Sequence, residues 1–127
     1  MTEAKCMVHI VDNDESVADS LRLLVESSGY PAVIFKSAED FLDSNFSETP
    51  CCLILDIHLP GMSGLDLQRH LTTSGARIPV IFITGHDRRR LEEEAMRIGA
   101  IAYLRKPFDE QVLLDAIQLA SEKVGLN

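Results

Sequence analysis

Apolar positions in this chain fall into two kinds of run that alternate along it. Cys6–Val11 (CMVHIV), Cys51–Leu55 (CCLIL) and Pro79–Ile83 (PVIFI) are almost continuously apolar, the pattern of parallel strands covered on both faces. Ala32–Phe35 and Ile101–Leu104 are shorter candidates of the same kind. Between and after them the apolar residues space out to a helical period. Val17, Leu21, Leu24 and Val25 share one helical face, and Gly29 stands where a left-handed cap is wanted. Ser37 with Asp40, and Ser63 with Asp66, read as capping boxes that start two further helices. Leu91, Ala95 and Ile98 recur before Gly99, and Leu113, Ala116, Ile117 and Ala120 recur after Asp109. The beat is strand then helix, five times over. It predicts an α/β fold, a parallel sheet with helices on both faces, in a single domain over residues 1–127 with no linker.

Ligands of such a sheet bind beyond the carboxyl ends of the strands, where the strand order reverses. The residues that follow the apolar runs are Asp12-Asn13-Asp14, Asp56, Thr84 and Lys106. Two acids, a hydroxyl and an ammonium thus converge on one rim. Carboxylates gathered there repel one another unless a cation joins them. A hard divalent ion such as Mg²⁺ takes oxygen ligands and keeps positions open for phosphate oxygens. A carboxylate can also attack phosphorus to give an acyl phosphate. Lys106 would pair with the phosphoryl oxygens, and the Thr84 hydroxyl would donate a hydrogen bond to one of them. Taken singly, a strand-end Asp or Thr is as well explained as the cap of the next helix; the four together point to phosphoryl chemistry.

Charge and composition narrow the class. With 20 acidic and 12 basic side chains the formal net charge is −8 and the pI about 4.8, which disfavours nucleic-acid binding by these residues. The excess is uneven: residues 1–60 hold 11 acidic and 3 basic side chains, whereas residues 61–127 hold 9 of each. No apolar run approaches the roughly 20 residues that span a bilayer, and the N-terminus turns acidic where a signal peptide stays apolar. Three cysteines, two of them adjacent (Cys51 and Cys52), suit a reducing cytoplasm better than a disulfide framework.

The segments VHIVDNDESV (8–17), LILDIHLPGMSG (53–64), PVIFITGH (79–86) and AYLRKPF (102–108) together resemble the receiver domain of two-component response regulators. The resemblance covers nearly the whole chain. LPGMSGLDLQ (59–68) and ITGH (83–86) are most similar to receivers that precede a helix-turn-helix DNA-binding domain. It implies a flavodoxin-like (βα)5 sandwich of strand order 2-1-3-4-5. It implies that Asp56 is the phosphoacceptor, fed by the phosphohistidine of a sensor histidine kinase. Mg²⁺ would be held by Asp12, Asn13, Asp56 and the backbone carbonyl of His58. Thr84 and Lys106 would bind the phosphoryl group, Tyr103 would swing inward as Thr84 engages it, and the peptide bond before Pro107 would be cis. Such a chain is a phosphoprotein of transcription regulation in the cytoplasm, not an enzyme acting on other substrates. Phosphorylation is read out on the face of the fourth helix, fifth strand and fifth helix, by an output domain, a separate partner or a second copy. The length implies a receiver without an output module of its own.

One position departs from the pattern. The second acid of the pair after the first strand is Asn13, which still offers an amide oxygen but no charge. A charge–charge contact at about 4 Å is worth roughly 4 kcal/mol at an effective dielectric near 20, before desolvation. Weaker Mg²⁺ binding and slower phosphorylation are expected, with Asp14 a partial substitute unless it caps the first helix. His58 and His86 lie two residues beyond Asp56 and Thr84; they either tune loss of the phosphoryl group or simply face solvent. His9 and His70 read as structural, and the four histidines fit no Zn²⁺ spacing. Arg88-Arg89-Arg90 followed by Glu92-Glu93-Glu94 reads as a self-complementary solvated face, or as charge serving an isologous contact. Two rivals remain: a haloacid-dehalogenase-type phosphatase with Asp12 as nucleophile and Asp14 as acid–base, and a pseudo-receiver that binds partners without phosphorylation. A flavin binder lacks the Ser/Thr/Gly phosphate loop after the first strand.

Overall fold

The fold was read from a computed structural model that describes residues 7–44, 52–85 and 89–123. Its elements run β1 (Val8–Val11), α1 (Glu15–Ser27), β2 (Ala32–Phe35), α2 (Ala38–Asp43), β3 (Cys52–Asp56), α3 (Gly64–Thr73), β4 (Val80–Thr84), α4 (Arg89–Ile98), β5 (Ala102–Arg105) and α5 (Glu110–Lys123). All five strands are parallel, in the order β2-β1-β3-β4-β5. The chain leaves β1 toward one edge and returns to the other side of it at β3. The reversal therefore falls between the strands that carry Asp12 and Asp56.

Alternation along each strand splits the core in two. Val8, Ile10, Cys52, Ile54, Ile81, Ile83 and Leu104 pack against Ala18, Leu21 and Val25 of α1 and Leu113, Ile117 and Ala120 of α5. The opposite residues, among them Val11, Leu53, Leu55, Phe82 and Tyr103, pack against Phe41 of α2, Leu67 and Leu71 of α3, and Ala95 of α4. The three central strands are covered on both faces, which is why they read as unbroken apolar runs. Burial pushes the Cys52 thiol well above its ordinary range.

The strand ends are set by pairing more than by composition. β2 spans the predicted residues, but β3, β4 and β5 each run one residue further than the apolar run. Asp56 pairs in register with Ile83, and Thr84 with Arg105, so both polar residues are the last of their strands and not the first of the following loops. β1 starts at Val8, where pairing with Ala32 and Cys52 begins, and Met7 before it is exposed. The predicted starts at Cys6 and Cys51 lie outside the described residues. The caps follow local chemistry: Ser37 Oγ accepts from Asp40 N–H at 3.0 Å and Ser63 Oγ from Asp66 N–H at 3.1 Å. Gly29 follows the end of α1 at φ +94°. Asp109 Oδ1 accepts from Gln111 N–H at 2.8 Å at the start of α5.

Candidate functional site

The carboxyl ends of β1, β3, β4 and β5 bring the candidate residues to one rim. Asp12, directly after β1, is buried, and its Oδ1 accepts from the Asp14 N–H at 2.9 Å. Burial raises its pKa. The hydrogen bond from Asp14 works against that, the charge of Asp56 adds to it and the charge of Lys106 offsets part of it. The same balance places Asp56 and Lys106 each within electrostatic reach of Asp12. Asp56 is half-buried at the end of β3, and its Oδ1 accepts from His58 N–H at 3.0 Å. Asn13 and His58 are exposed beside them.

Thr84 is fully buried as the last residue of β4, on the sheet face that carries Phe82 and Tyr103. Its carbonyl accepts from Lys106 N–H at 2.8 Å, which ties the turn after β5 to the end of β4. The Lys106–Pro107 peptide bond is cis. Lys106 itself is exposed, and beside it α1 and the β5–α5 turn enclose a cleft of about 330 Å³ walled by Val17, Leu24, Pro107 and Phe108. Tyr103 is packed inward, its ring centroid 6.3 Å from that of Phe82 and the Arg105 guanidinium 5.9 Å from its own.

Asp14 is the N-cap of α1: its Oδ1 accepts from Ser16 and Val17 N–H at 3.0 and 3.2 Å. That employment leaves it a poor substitute for the acid missing at Asn13, and a poor acid–base residue for a phosphatase. His9 lies buried between Phe35 and Phe41, with ring centroids at 5.5 and 5.7 Å, away from the rim. His70 is exposed on α3. His86 and Arg88 lie outside the described residues.

A divalent cation fits the residues present. Asp12 and Asp56 are two carboxylates whose mutual repulsion is already felt in the Asp12 pKa. The other candidate donors, the Asn13 amide and the His58 carbonyl, are oxygens as well, the donor type hard cations take. Among the described residues no group of three His, Cys, Asp or Glu side chains could hold a metal; a site here needs the amide or the backbone to complete it.

Three features escaped sequence reasoning. Gly64 permits a close approach, since a Cβ there would stand 2.4 Å from the Asp56 carbonyl oxygen and 3.0 Å from Ile57 Cα. Glu39 of α2 accepts from Met62 N–H at 2.9 Å, across 23 positions of sequence. The charged run of α4 is not self-contained: Glu92 pairs with Arg105 of β5, and Glu94 with Arg69 of α3. Of the three, only Gly64 had a signal, its place in the DIHLPGMSG segment.

Comparison with known proteins agrees with this geometry. The family profile of the response regulator receiver domain matches residues 8–118. Nodulation protein W of Bradyrhizobium diazoefficiens is 44% identical over 124 residues, covering 96% of this chain and 55% of the relative. The transcriptional regulatory protein FixJ of Azorhizobium caulinodans is 40% identical over 111 residues, covering 87% and 53%. The crystal structure of FixJ-N superposes with a TM-score of 0.84 at 37% identity, over 95% of this chain and 96% of that one. The chain thus spans about half the length of the curated relatives it matches, but nearly all of the separately solved FixJ-N. With the receiver profile running from β1 into α5 and the acidic rim, Thr84 and Lys106 all inside it, the chain belongs to the response regulator receiver domain family.

Proposed function

We propose that this receiver accepts a phosphoryl group on Asp56 from the phosphohistidine of a sensor histidine kinase. The observation that carries the reading is the charge balance at the rim, where one buried acid feels a second acid and a lysine drawn from three distant parts of the chain. An Asp56 carboxylate oxygen attacks phosphorus. The O–P bond forms as the P–N bond to the donor imidazole breaks, and the imidazole nitrogen takes up a proton. Lys106 pairs with the phosphoryl oxygens, and Thr84 donates its hydroxyl to one of them. Tyr103, on the same sheet face as Thr84, fills the space behind it. Mg²⁺, which receiver domains use at this site, supplies positive charge against the phosphoryl oxygens. Asp12, Asp56, Asn13 and the His58 carbonyl are the groups that would hold it.

The chain acts as a signalling module over residues 1–127, not as a turnover enzyme, with its readout on α4, β5 and α5. An output domain, in the same or another polypeptide, or a second copy meeting this α4–β5 face, takes the signal. The acidic composition argues against direct contact with nucleic acid. The cytoplasm is proposed as the working compartment; no helix among the described residues is long and apolar enough to cross a membrane. His58, exposed next to Asp56, modulates the lifetime of the acyl phosphate, and His86 is proposed to do the same beyond Thr84.

Incubation with acetyl phosphate and Mg²⁺, read by intact mass, tests the assignment. One phosphoryl group is expected on the wild type and none on Asp56→Asn. Repeated turnover would mean a phosphatase, and no addition a partner-binding pseudo-receiver. Asn13→Asp is expected to bind Mg²⁺ about tenfold more tightly and to phosphorylate faster, since it returns one charge to the rim. Equal affinities would dismiss the weakening.

A further inference from the structure

The turn between β3 and α3, residues 57–63, carries His58 and joins the strand that ends in Asp56 to a helix packed close against it. Its beginning is fastened twice, by His58 N–H to Asp56 Oδ1 at 3.0 Å and by Gly64 N–H to the Ile57 carbonyl at 3.1 Å. Ile57 and Leu59 are buried and anchor it to the core. The middle is held less firmly: Pro60 and Gly61 are exposed, Met62 packs only partly against the core, and the chain bends through a left-handed Gly61 at φ +75°. There Glu39 reaches over from α2, and its Oε2 accepts the Met62 N–H at 2.9 Å. A Cβ on Gly61 would stand 2.7 Å from that same oxygen, so the carboxylate occupies room that only glycine leaves. Glu39 also accepts from its own backbone N–H in the first turn of α2, where the helix dipole favours an anion. The two donors hold its pKa below the ordinary carboxylate range, so the acceptor is charged throughout the neutral range.

We propose that Glu39 is a positioning residue for phosphoryl transfer, clamping the β3–α3 turn so that the His58 backbone keeps its place beside Asp56. The proposal rests on the receiver reading of Asp56 above. Glu39 acts through the turn and not on the phosphoryl group. Its bond lies at the surface while the turn is anchored elsewhere by Ile57 and Leu59, so loss of the clamp shifts the site far more than it unfolds the chain.

The experiment compares wild type, Glu39→Ala and Glu39→Gln in the full chain. Mg²⁺ affinity is measured by calorimetry, phosphorylation by acetyl phosphate, Met62 amide exchange by NMR, and folding by thermal melting. For Glu39→Ala we expect faster Met62 exchange and about tenfold weaker Mg²⁺ binding, the size of effect that outer partners of metal ligands have. Phosphorylation slows with it, while the melting temperature stays within about 4 °C of wild type. Glu39→Gln keeps an oxygen that accepts the same N–H and restores most of the affinity. Wild-type Mg²⁺ affinity in Glu39→Ala overturns the proposal, and so does a Glu39→Gln that fails to rescue. A loss of affinity matched by a large fall in melting temperature would return Glu39 to a purely structural role. A wild type that accepts no phosphoryl group refutes the receiver reading instead, while Met62 exchange and Mg²⁺ affinity still decide the clamp.

Discussion

His9 occupies the second position of β1 with its ring between Phe35 and Phe41, and its buried Nδ1 has no hydrogen-bond partner among the described residues. Burial lowers its pKa from 6.5, so the folded protein holds the neutral ring. As pH falls through the unfolded value, the unfolded chain takes up the proton first. The stability tied to a neutral His9 is therefore complete above that value and is lost as pH falls toward the lower folded one. Thermal melts between about pH 7.5 and 5.5 are expected to fall in wild type and to flatten in His9→Val. A histidine inside an apolar strand could be read as structural from its neighbours alone. Glu39 is the opposite case: its partner Met62 lies 23 positions away, and no periodicity or motif joins the two. Two acids of α4, Glu92 and Glu94, are a similar case. Their partners, Arg69 and Arg105, belong to other elements, whereas sequence spacing offered only the adjacent arginines.

At the scale of elements, the joint between β3 and α3 controls where Asp56 can stand. Gly64 opens α3 and leaves no room for a side chain: an added Cβ would press on the Asp56 carbonyl at 2.4 Å and on Ile57 Cα at 3.0 Å, both of them backbone. Gly64→Ala is expected to cost about 1–3 kcal/mol, the range for forcing extra carbon into a packed site. Calorimetric melting measures the loss, and slower phosphorylation accompanies it as the joint shifts. The sequence showed where helices begin better than where strands begin and end: β4 and β5 start at Val80 and Ala102, one residue after the apolar runs do. Caps such as Ser37, Ser63 and Asp14 act on N–H groups two or three residues away, so their chemistry is local. The last residues of β3 and β4 are strand because Ile83 and Arg105 pair with them, a fact held by a different part of the chain. α4 is likewise fixed from outside: Ala95 is buried against α3, and Gln68 donates to its carbonyl at 3.4 Å.

For the whole molecule, the sheet assembles a site that no contiguous stretch contains. Asp12 comes from the acidic first half, whereas Thr84 and Lys106 come from the charge-neutral second half. The rim is accordingly a place of stored repulsion. Asp12→Asn removes one of two neighbouring carboxylates and the burial cost of its charge, so in Mg²⁺-free buffer it is expected to melt above wild type. Added Mg²⁺ reverses the order, because an ion that binds only the folded state stabilises by about 2.7 kcal/mol at a hundred times its Kd. Thermal shift against Mg²⁺ concentration checks both halves of this expectation. The α/β beat, and with it the rim, was legible because the three central strands are buried on two faces. The repulsion between its carboxylates was legible too, but not its size, which depends on how closely Asp12 and Asp56 approach. The strand order has a further consequence for a chain still being synthesised. β1 pairs with β3 more than forty positions later, and β5, which leads into Lys106, joins the sheet edge last in sequence. A nascent polypeptide that has emerged only as far as β4 holds Asp56 and Thr84 but not Lys106. On the proposed reading it lacks one charge of the site, so fragments that stop there are expected to take up no phosphoryl group.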